Sequence, residues 1–359
     1  MRITVIGGGH IGTLMAAQFA YKKHDITIFT SKPELWNKTL TVYNTDKTVI
    51  MQGTIHHVTG CLNEAVTDAE IIFITLPSFM FEKIAAELFD LVHSKQIIGI
   101  IPGSGGAEFA FRKLIQKGCI LFGLQRVHSI ARLQKYGHSV YMLGEKDKLH
   151  VAAIPGEQTP EIAYMLEKLF NIPMDILPNY LCVTLTPSNP ILHTARLYSL
   201  FSDYTDDVTY PENFLFYENW DHKSTSVLFA CDHELQELCK KIDKLDLRTV
   251  LSLPEYYEAS SIEHFTRKIN QIPAFKGIPS PMKHVQNGWI PDFTSRYFTA
   301  DFPFGLKIIH DIGNLFHVPM PTIDCIWEWY CRMPIQPASG SNFSLPFTQT
   351  NEFYNIYTS

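Results

Sequence analysis

Arg2-Ile3-Thr4-Val5-Ile6-Gly7-Gly8-Gly9-His10-Ile11-Gly12 opens the chain with a short apolar run that leads directly into G-x-G-x-x-G. Residues 2 to 6 have the composition of a buried strand, and the glycines form a turn. Residues 11 to 23 follow as a helix with Ile11, Leu14, Met15 and Phe19 on one face. Residues 25 to 30 supply a second strand. A strand, glycine turn, helix and strand in this order form the opening βαβ unit of a parallel sheet covered by helices. Working outward, residues 41 to 59 are rich in Thr, Val and His without helical period, and short inserted strands are expected there. Residues 71 to 76 form a third apolar strand ending at Pro77-Ser78, and residues 96 to 101 a fourth ending at Pro102-Gly103-Ser104-Gly105-Gly106. Both therefore end in loops at the carboxyl edge of the sheet, where open α/β folds bind ligands.

From about Leu185 onward helical periodicity replaces the strand pattern. Leu228, Cys231, Leu235, Leu238, Ile242 and Leu245 alternate spacings of three and four, which defines one apolar face. Residues 304 to 316 repeat this through Ile308, Ile309, Ile312, Leu315 and Phe316, and residues 322 to 333 suggest a last long helix. The tail from Pro334 is expected to be irregular or strapped across the body. The fold class is thus α/β, with an N-terminal Rossmann-type dinucleotide-binding domain over residues 1–184 and a C-terminal all-α domain over residues 185–359. Two domains are also what 359 residues suggest, because one hydrophobic core seldom grows that large.

Composition narrows the function. With 46% hydrophobic and 18% charged residues the chain is globular. Its formal charge of -6, without a basic run, argues against nucleic acid. The seven cysteines are scattered without a C-x-x-C pair, so neither a disulfide framework nor a zinc site is indicated. His56-His57 and Cys231-Asp232-His233-Glu234 hold metal-ligand types at unconvincing spacing, and no metal is expected. The strand at the extreme N-terminus leaves no room for a signal peptide, and the apolar run from Ile71 to Phe81 is cut by Pro77 and too short to span a membrane. A cytoplasmic protein without a membrane partner is expected.

The glycines suit a dinucleotide. Gly7 makes the tight turn, Gly9 lets backbone approach a pyrophosphate, and Gly12 allows close helix–strand packing, with His10 and Ile11 at the positive end of the helix. Leu76 and Pro77 lie at the same carboxyl edge. An NAD-preferring site would carry a carboxylate at the end of the second strand; Thr30-Ser31-Lys32 stands there instead. Two hydroxyls and a cation suit a 2′-phosphate, so NADPH is expected, with Lys38 assisting, while Glu34 leaves NAD open.

Asn189-Pro190-Ile191-Leu192-His193 lies where strand-like sequence turns helical, so His193 falls in a first helical turn at the expected domain seam, where a histidine can face a nicotinamide. Far downstream, Ser295-Arg296-Tyr297-Phe298-Thr299-Ala300-Asp301-Phe302-Pro303-Phe304-Gly305-Leu306 combines a cation, a carboxylate and a helix start. Read singly, His193 is equally an interface histidine and Asp301 equally an N-cap. Together with the glycine turn, N-P-x-x-H and R-x-x-x-x-D-x-P-x-G-L resemble, in order, the octopine/nopaline (opine) dehydrogenase family. The stretch Phe216-Tyr217-Glu218-Asn219-Trp220-Asp221 looks most like its branch making staphylopine-type metallophores.

The resemblance implies that His193 is the general acid/base, that Asp301 pairs with it, and that Arg296 grips a substrate carboxylate. These roles suit a near-neutral imidazole, a tautomer-fixing carboxylate and a bidentate guanidinium. Asn189 at the helix start, together with Gln125 and Arg132 beyond the apolar strand of residues 120 to 124, are further substrate candidates. The expected reaction is reductive condensation of a pyruvate-like α-keto acid with an amino-acid amine, with the oligomeric state, including a homodimer, open. A simpler reductase of the ketopantoate or hydroxyacid kind shares the two-domain plan, but such enzymes rely on a lysine in the helical domain, and the N-P-x-x-H segment argues against them. A redox sensor that holds NADPH without turnover has no use for a proton shuttle.

Overall fold

The computed structural model describes residues 1–338 and 342–358. It divides into two compact units, one of residues 1–184 with the chain end from Phe353, the other Leu185–Glu352. In chain order the first unit has β1 (Arg2–Ile6), α1 (His10–Tyr21), β2 (Asp25–Phe29), β3 (Thr39–Tyr43), β4 (Val49–Thr54), β5 (His57–Thr59), β6 (Ile71–Ile74), β7 (Ile97–Ile100), β8 (Ile120–Leu124), β9 (Ser129–Lys135), β10 (Ser139–Glu145), β11 (Leu149–Ile154) and β12 (Met174–Ile176).

Eight of these strands form one sheet in the order β12-β11-β8-β7-β6-β1-β2-β5. It is parallel from β5 through β8, after which β11 runs antiparallel to β8. β1 pairs with β2 on one side and β6 on the other, so the glycine turn emerges at the centre of the sheet. All of β6 is buried, which explains its unbroken Ile-Ile-Phe-Ile run: a parallel strand covered on both faces has no polar side to alternate with.

Of the insertion expected at residues 41 to 59, β5 joins the main sheet, while β3 and β4 are part of a second sheet, β4-β3-β10-β9, whose other half is a hairpin with no counterpart in the sequence reading. This sheet lies on α1, and a Cβ on Gly53 in β4 would overlap the Ala17 carbonyl. α1 is therefore enclosed by two sheets. From Gly12 to Ala20 every residue is buried, not the single face the periodicity suggested, and Ala16, Ala17 and Ala20 are the small residues such close packing requires.

The second unit is helical apart from one hairpin (Met282–Val285 with Gly288–Pro291). Its helix His222–Lys241 buries Leu228, Cys231, Leu235 and Leu238 as the spacing required, but stops before Leu245. Its two buried carboxylates act as caps. Glu234 accepts the Thr322 and Ile323 amides at 2.7 and 2.9 Å at the start of helix Pro321–Arg332, and Asp232 accepts the Leu253 amide at 3.1 Å. Among the described residues no cluster of His, Cys, Asp and Glu could hold a metal ion.

Residues 334–338 and 342–349 are irregular, as expected, but the chain end is not. Residues 350 to 358 form a helix, and Phe353 and Tyr357 are held by the first unit. Phe353 packs 6.1 Å from Phe109, and the Tyr357 hydroxyl donates to Glu108 at 2.9 Å, beside the Thr184 hydroxyl at 2.6 Å. Burial raises the Glu108 carboxyl to about 7. A folded-state value above the ordinary one means that this group's stabilisation is complete below the unfolded value and is lost as pH rises through the folded one. The melting temperature should therefore fall by several degrees between about pH 5 and about pH 8. Glu108→Gln should flatten that decline, leaving the part due to Asp232, which burial also raises to about 7. Parallel slopes for the two proteins in a pH series of thermal melts would count against this role of Glu108.

Candidate active site

The glycine turn has the shape of a phosphate cradle. Gly7 lies at φ +117°, where a side chain is strained, and a Cβ there would come within 2.7 Å of Thr75 Oγ1. A Cβ on Gly12 would overlap the Gly7 carbonyl oxygen and press on the same hydroxyl. The turn thus sits on Thr75, at the end of β6, whose Oγ1 donates at 3.3 Å toward the Ile6 and Gly7 carbonyls. Leu76 and Pro77 continue this edge half-buried, with Leu76 Cδ2 against Gly7. Gly9, the N-cap of α1, is exposed and has no atom near where its Cβ would stand, so its backbone is open to a ligand. The helix ladder starts from the Thr13 amide to the Gly9 carbonyl at 2.9 Å, so the turn containing His10, Ile11 and Gly12 forms the positive helix terminus. These are the requirements of a bound pyrophosphate.

At the end of β2 the expected hydroxyl pair is divided. Thr30 is 4% exposed, its Oγ1 is 2.7 Å from the Tyr136 hydroxyl and accepts the Lys32 amide at 3.3 Å. Ser31, Lys32 and Lys38 are exposed, and neither lysine forms an ion pair among the described residues. Tyr136, between β9 and β10, and Trp36 close over Gly8, whose Cβ would meet them at 2.9 and 2.7 Å. Neither aromatic has a sequence signal, because the hairpin that delivers Tyr136 is itself silent in the pattern.

The basic stretch after β8 does not gather into one patch. Gln125 is half-buried, with its amide on the His150 carbonyl at 2.9 Å, whereas Arg132 is exposed along β9 in the other sheet and donates to the Ala131 carbonyl at 3.0 Å. His128 is a core residue. Its Nε2 lies 2.8 Å from Gln18 Oε1, its ring packs on Phe170, and burial lowers it to about 3, so it is uncharged.

In the second unit the helix Asn189–Phe201 starts with Asn189 exposed and Pro190 in its first turn. His193 is 7% exposed, and its Nδ1 lies 2.8 Å from Asp301 Oδ2. Asp301 precedes the π-type turn Phe302–Leu306 but makes no side-chain cap, so its carboxylate serves the histidine, not the helix. Gly305 makes the approach feasible: a Cβ there would sit 3.2 Å from Pro190, tight against the start of the histidine helix. The proline, histidine, aspartate and glycine of the two motifs therefore form one packed corner.

Three further neighbours define the imidazole. Its Nε2 lies 2.9 Å from the Tyr217 hydroxyl, and Tyr297 and Phe216 flank the ring at 4.6 and 5.5 Å between centroids. Asp301, an acceptor, places a hydrogen on Nδ1 and leaves Nε2 facing Tyr217. Arg196, fully buried, holds the tyrosine's loop. It donates to the Phe216 carbonyl at 3.1 Å, the Asn219 carbonyl at 2.6 Å and Ser224 Oγ at 2.8 Å, with Asp221 at 3.4 Å. Burial lowers this guanidinium to about 10, still cationic at neutral pH. Arg296 opens the short helix Arg296–Thr299, exposed and without an ion pair among the described residues.

Residues 176–333 match the family model described as NAD/NADP octopine/nopaline dehydrogenase, alpha-helical domain, and residues 2–103 match one described as NADP oxidoreductase coenzyme F420-dependent. A tauropine dehydrogenase from Arabella iricolor is 26% identical over 91% of this chain and 90% of its own length. An octopine dehydrogenase from Mizuhopecten yessoensis is 26% identical over 92% and 89%. A solved octopine dehydrogenase with NADH and L-arginine superposes with a TM-score of 0.81 at 23% identity, covering 92% of this chain and 88% of that one, and so shares the fold.

The cradle makes a graded forecast. Gly9→Ala, whose Cβ meets nothing, should keep the melting temperature and weaken NADPH binding modestly. Gly12→Val, driven into the Gly7 carbonyl, should raise the dissociation constant by more than about 100-fold, roughly 3 kcal/mol. Fluorescence titration beside thermal melts checks both; tight binding by Gly12→Val would remove the cofactor assignment.

Proposed function

The chain belongs to the octopine/nopaline dehydrogenase family, and from that premise we propose that it is an NADPH-dependent opine dehydrogenase. It joins a pyruvate-like α-keto acid to the amine of an amino acid, or of an amino-acid-derived metallophore precursor, and reduces the resulting imine to a secondary amine. The His193–Asp301 pair carries this reading. A nicotinamide supplies only hydride, whereas imine formation needs a group that takes and returns protons near neutral pH. The similarity to tauropine and octopine dehydrogenases supports a keto acid and an amino-acid-type partner, and the sequence of residues 216–221 supports the metallophore variant.

In this reading Gly7, Gly9 and Gly12, with His10 and Ile11 at the helix start, hold the pyrophosphate, and Leu76 and Pro77 border it. Exposed Ser31 and Lys32, assisted by Lys38, meet the 2′-phosphate that sets NADPH apart; the absence of a carboxylate at the end of β2 supports that preference. When bound, the dinucleotide supplies the hydride. Arg296 fixes a substrate carboxylate as a two-pronged donor, and Asn189 with Gln125 and Arg132 are the remaining substrate contacts. Asp301 keeps the imidazole in one tautomer and stabilises its charged form, so that His193 can receive a proton from an attacking amine and return one to a departing hydroxyl. No described helix is long and apolar enough to cross a membrane.

Following NADPH consumption with pyruvate and a panel of amino acids, then weighing the product, should give a secondary-amine mass. Consumption with keto acid alone would point to a simple keto-acid reductase. His193→Asn should lower kcat by about 100-fold or more. Lys32→Glu should raise KM for NADPH by about tenfold or more while leaving NADH nearly unchanged, and equal effects on both cofactors would remove the 2′-phosphate assignment.

A further inference from the structure

His193 has no open nitrogen. Nδ1 is engaged by Asp301, Nε2 by the Tyr217 hydroxyl, and the ring is flanked by Tyr297 and Phe216. Any proton this imidazole exchanges through Nε2 must therefore pass the phenolic oxygen, unless the tyrosine leaves its seat. That seat is firmly built. The Tyr217 ring stacks on Phe275 at 4.1 Å and 16°, lies parallel to Trp220 at 6.4 Å and 7°, and its loop is fixed by the four donor contacts of Arg196.

We propose that Tyr217 is the terminal proton donor and acceptor of the site, so that Asp301, His193 and Tyr217 act as a relay and the phenol, not the imidazole, meets the substrate. This rests on the reading of the chain as an imine-forming enzyme. In the loss of water from the amine–keto acid adduct, the Tyr217 O–H bond breaks as its proton forms a bond to the departing hydroxyl. The C–O pair leaves with water, and the nitrogen lone pair closes the C=N bond. The imidazolium Nε2–H then passes its proton to the phenolate, leaving neutral His193; the imidazole gained that proton in the preceding addition, when the attacking amine's proton went to the Tyr217 oxygen as the phenol's own proton passed to Nε2. Between addition and loss of water, the positive charge on the imidazole is held by Asp301. Of the charged groups on the same loop, Glu218 accepts the Gly277 amide at 2.6 Å, Asp221 accepts the Ser224 amide, and Arg196 faces the loop backbone. Tyr297 packs against the ring of His193, 4.6 Å away between centroids and tilted by 37°.

Tyr217→Phe keeps the stack and removes one oxygen. Its kcat should fall by about 10- to 100-fold with substrate KM changed by less than about threefold, while NADPH affinity and melting temperature stay as in the parent. His193→Asn, measured beside it, separates two failures. If His193→Asn is inactive and Tyr217→Phe retains the parental kcat and pH profile, the relay is wrong and the imine-forming reading stands. If both retain full turnover, that reading itself falls. A variant carrying 3-fluorotyrosine at 217 covers the case in which phenylalanine disturbs folding, because it preserves shape and hydrogen bond but acidifies the phenol. Its alkaline limb of kcat against pH should move to lower pH. An unmoved limb would overturn the proposal.

Discussion

A buried guanidinium underlies the corner built around His193. Arg196 follows His193 by three residues on one helix and directs its donors at the backbone and side chains of residues 216 to 224. Removing a cation from water is costly unless its donors are met, and here two carbonyls, a hydroxyl and a carboxylate meet them. The consequence is geometric: the segment that carries Phe216 and Tyr217 cannot shift along the helix without stranding a buried charge. Asp221, one of the partners, is also the N-cap of helix His222–Lys241, so the same contact registers loop and helix together.

The opposite side of the imidazole is set by absence of bulk. Gly305 lets the π-type turn reach Pro190, and the turn brings Asp301 to Nδ1. A wider π-type turn of this sort interrupts a helix locally and re-aims its first residues, a device common at functional positions. Histidine, aspartate and tyrosine thus come from three segments far apart in the chain, each held by a different physical means: helix start, helix irregularity and charge-anchored loop.

Much of this was legible in the sequence, because local rules specify it. The glycine turn, the enclosed strand at residues 71 to 74, the apolar stripe from Leu228 to Leu238 and the N-P-x-x-H helix start each depend on neighbours a few residues away. What was not legible depends on distant partners. α1 looked one-sided because nothing in residues 10 to 21 announces the second sheet that covers its other face. Thr30 looked like a free hydroxyl because Tyr136 lies 106 residues away. The helix at the end of the chain was not legible because its anchor, Glu108, is a lone buried acid. Tyr217 and Arg196 were visible as residues but not as a pair, since no spacing rule links a helix arginine to the carbonyls of a later loop. Arg296 and Asn189 stand exposed at helix starts, where a functional residue and a solvated one look alike.

The proposed chemistry also explains why the site holds more proton-handling groups than hydride transfer alone demands. Reducing a ketone places one proton on one oxygen, a task a single cation can perform. Building a secondary amine first moves a proton off nitrogen and then one onto a departing hydroxyl, so a lone imidazole would have to serve two positions in succession. A carboxylate at Nδ1 stabilises the charged state between these events, and a phenol at Nε2 extends its reach without moving the ring. Rigidity and reach usually oppose one another; placing the moving proton on a hydroxyl rotor attached to a stacked ring reconciles them.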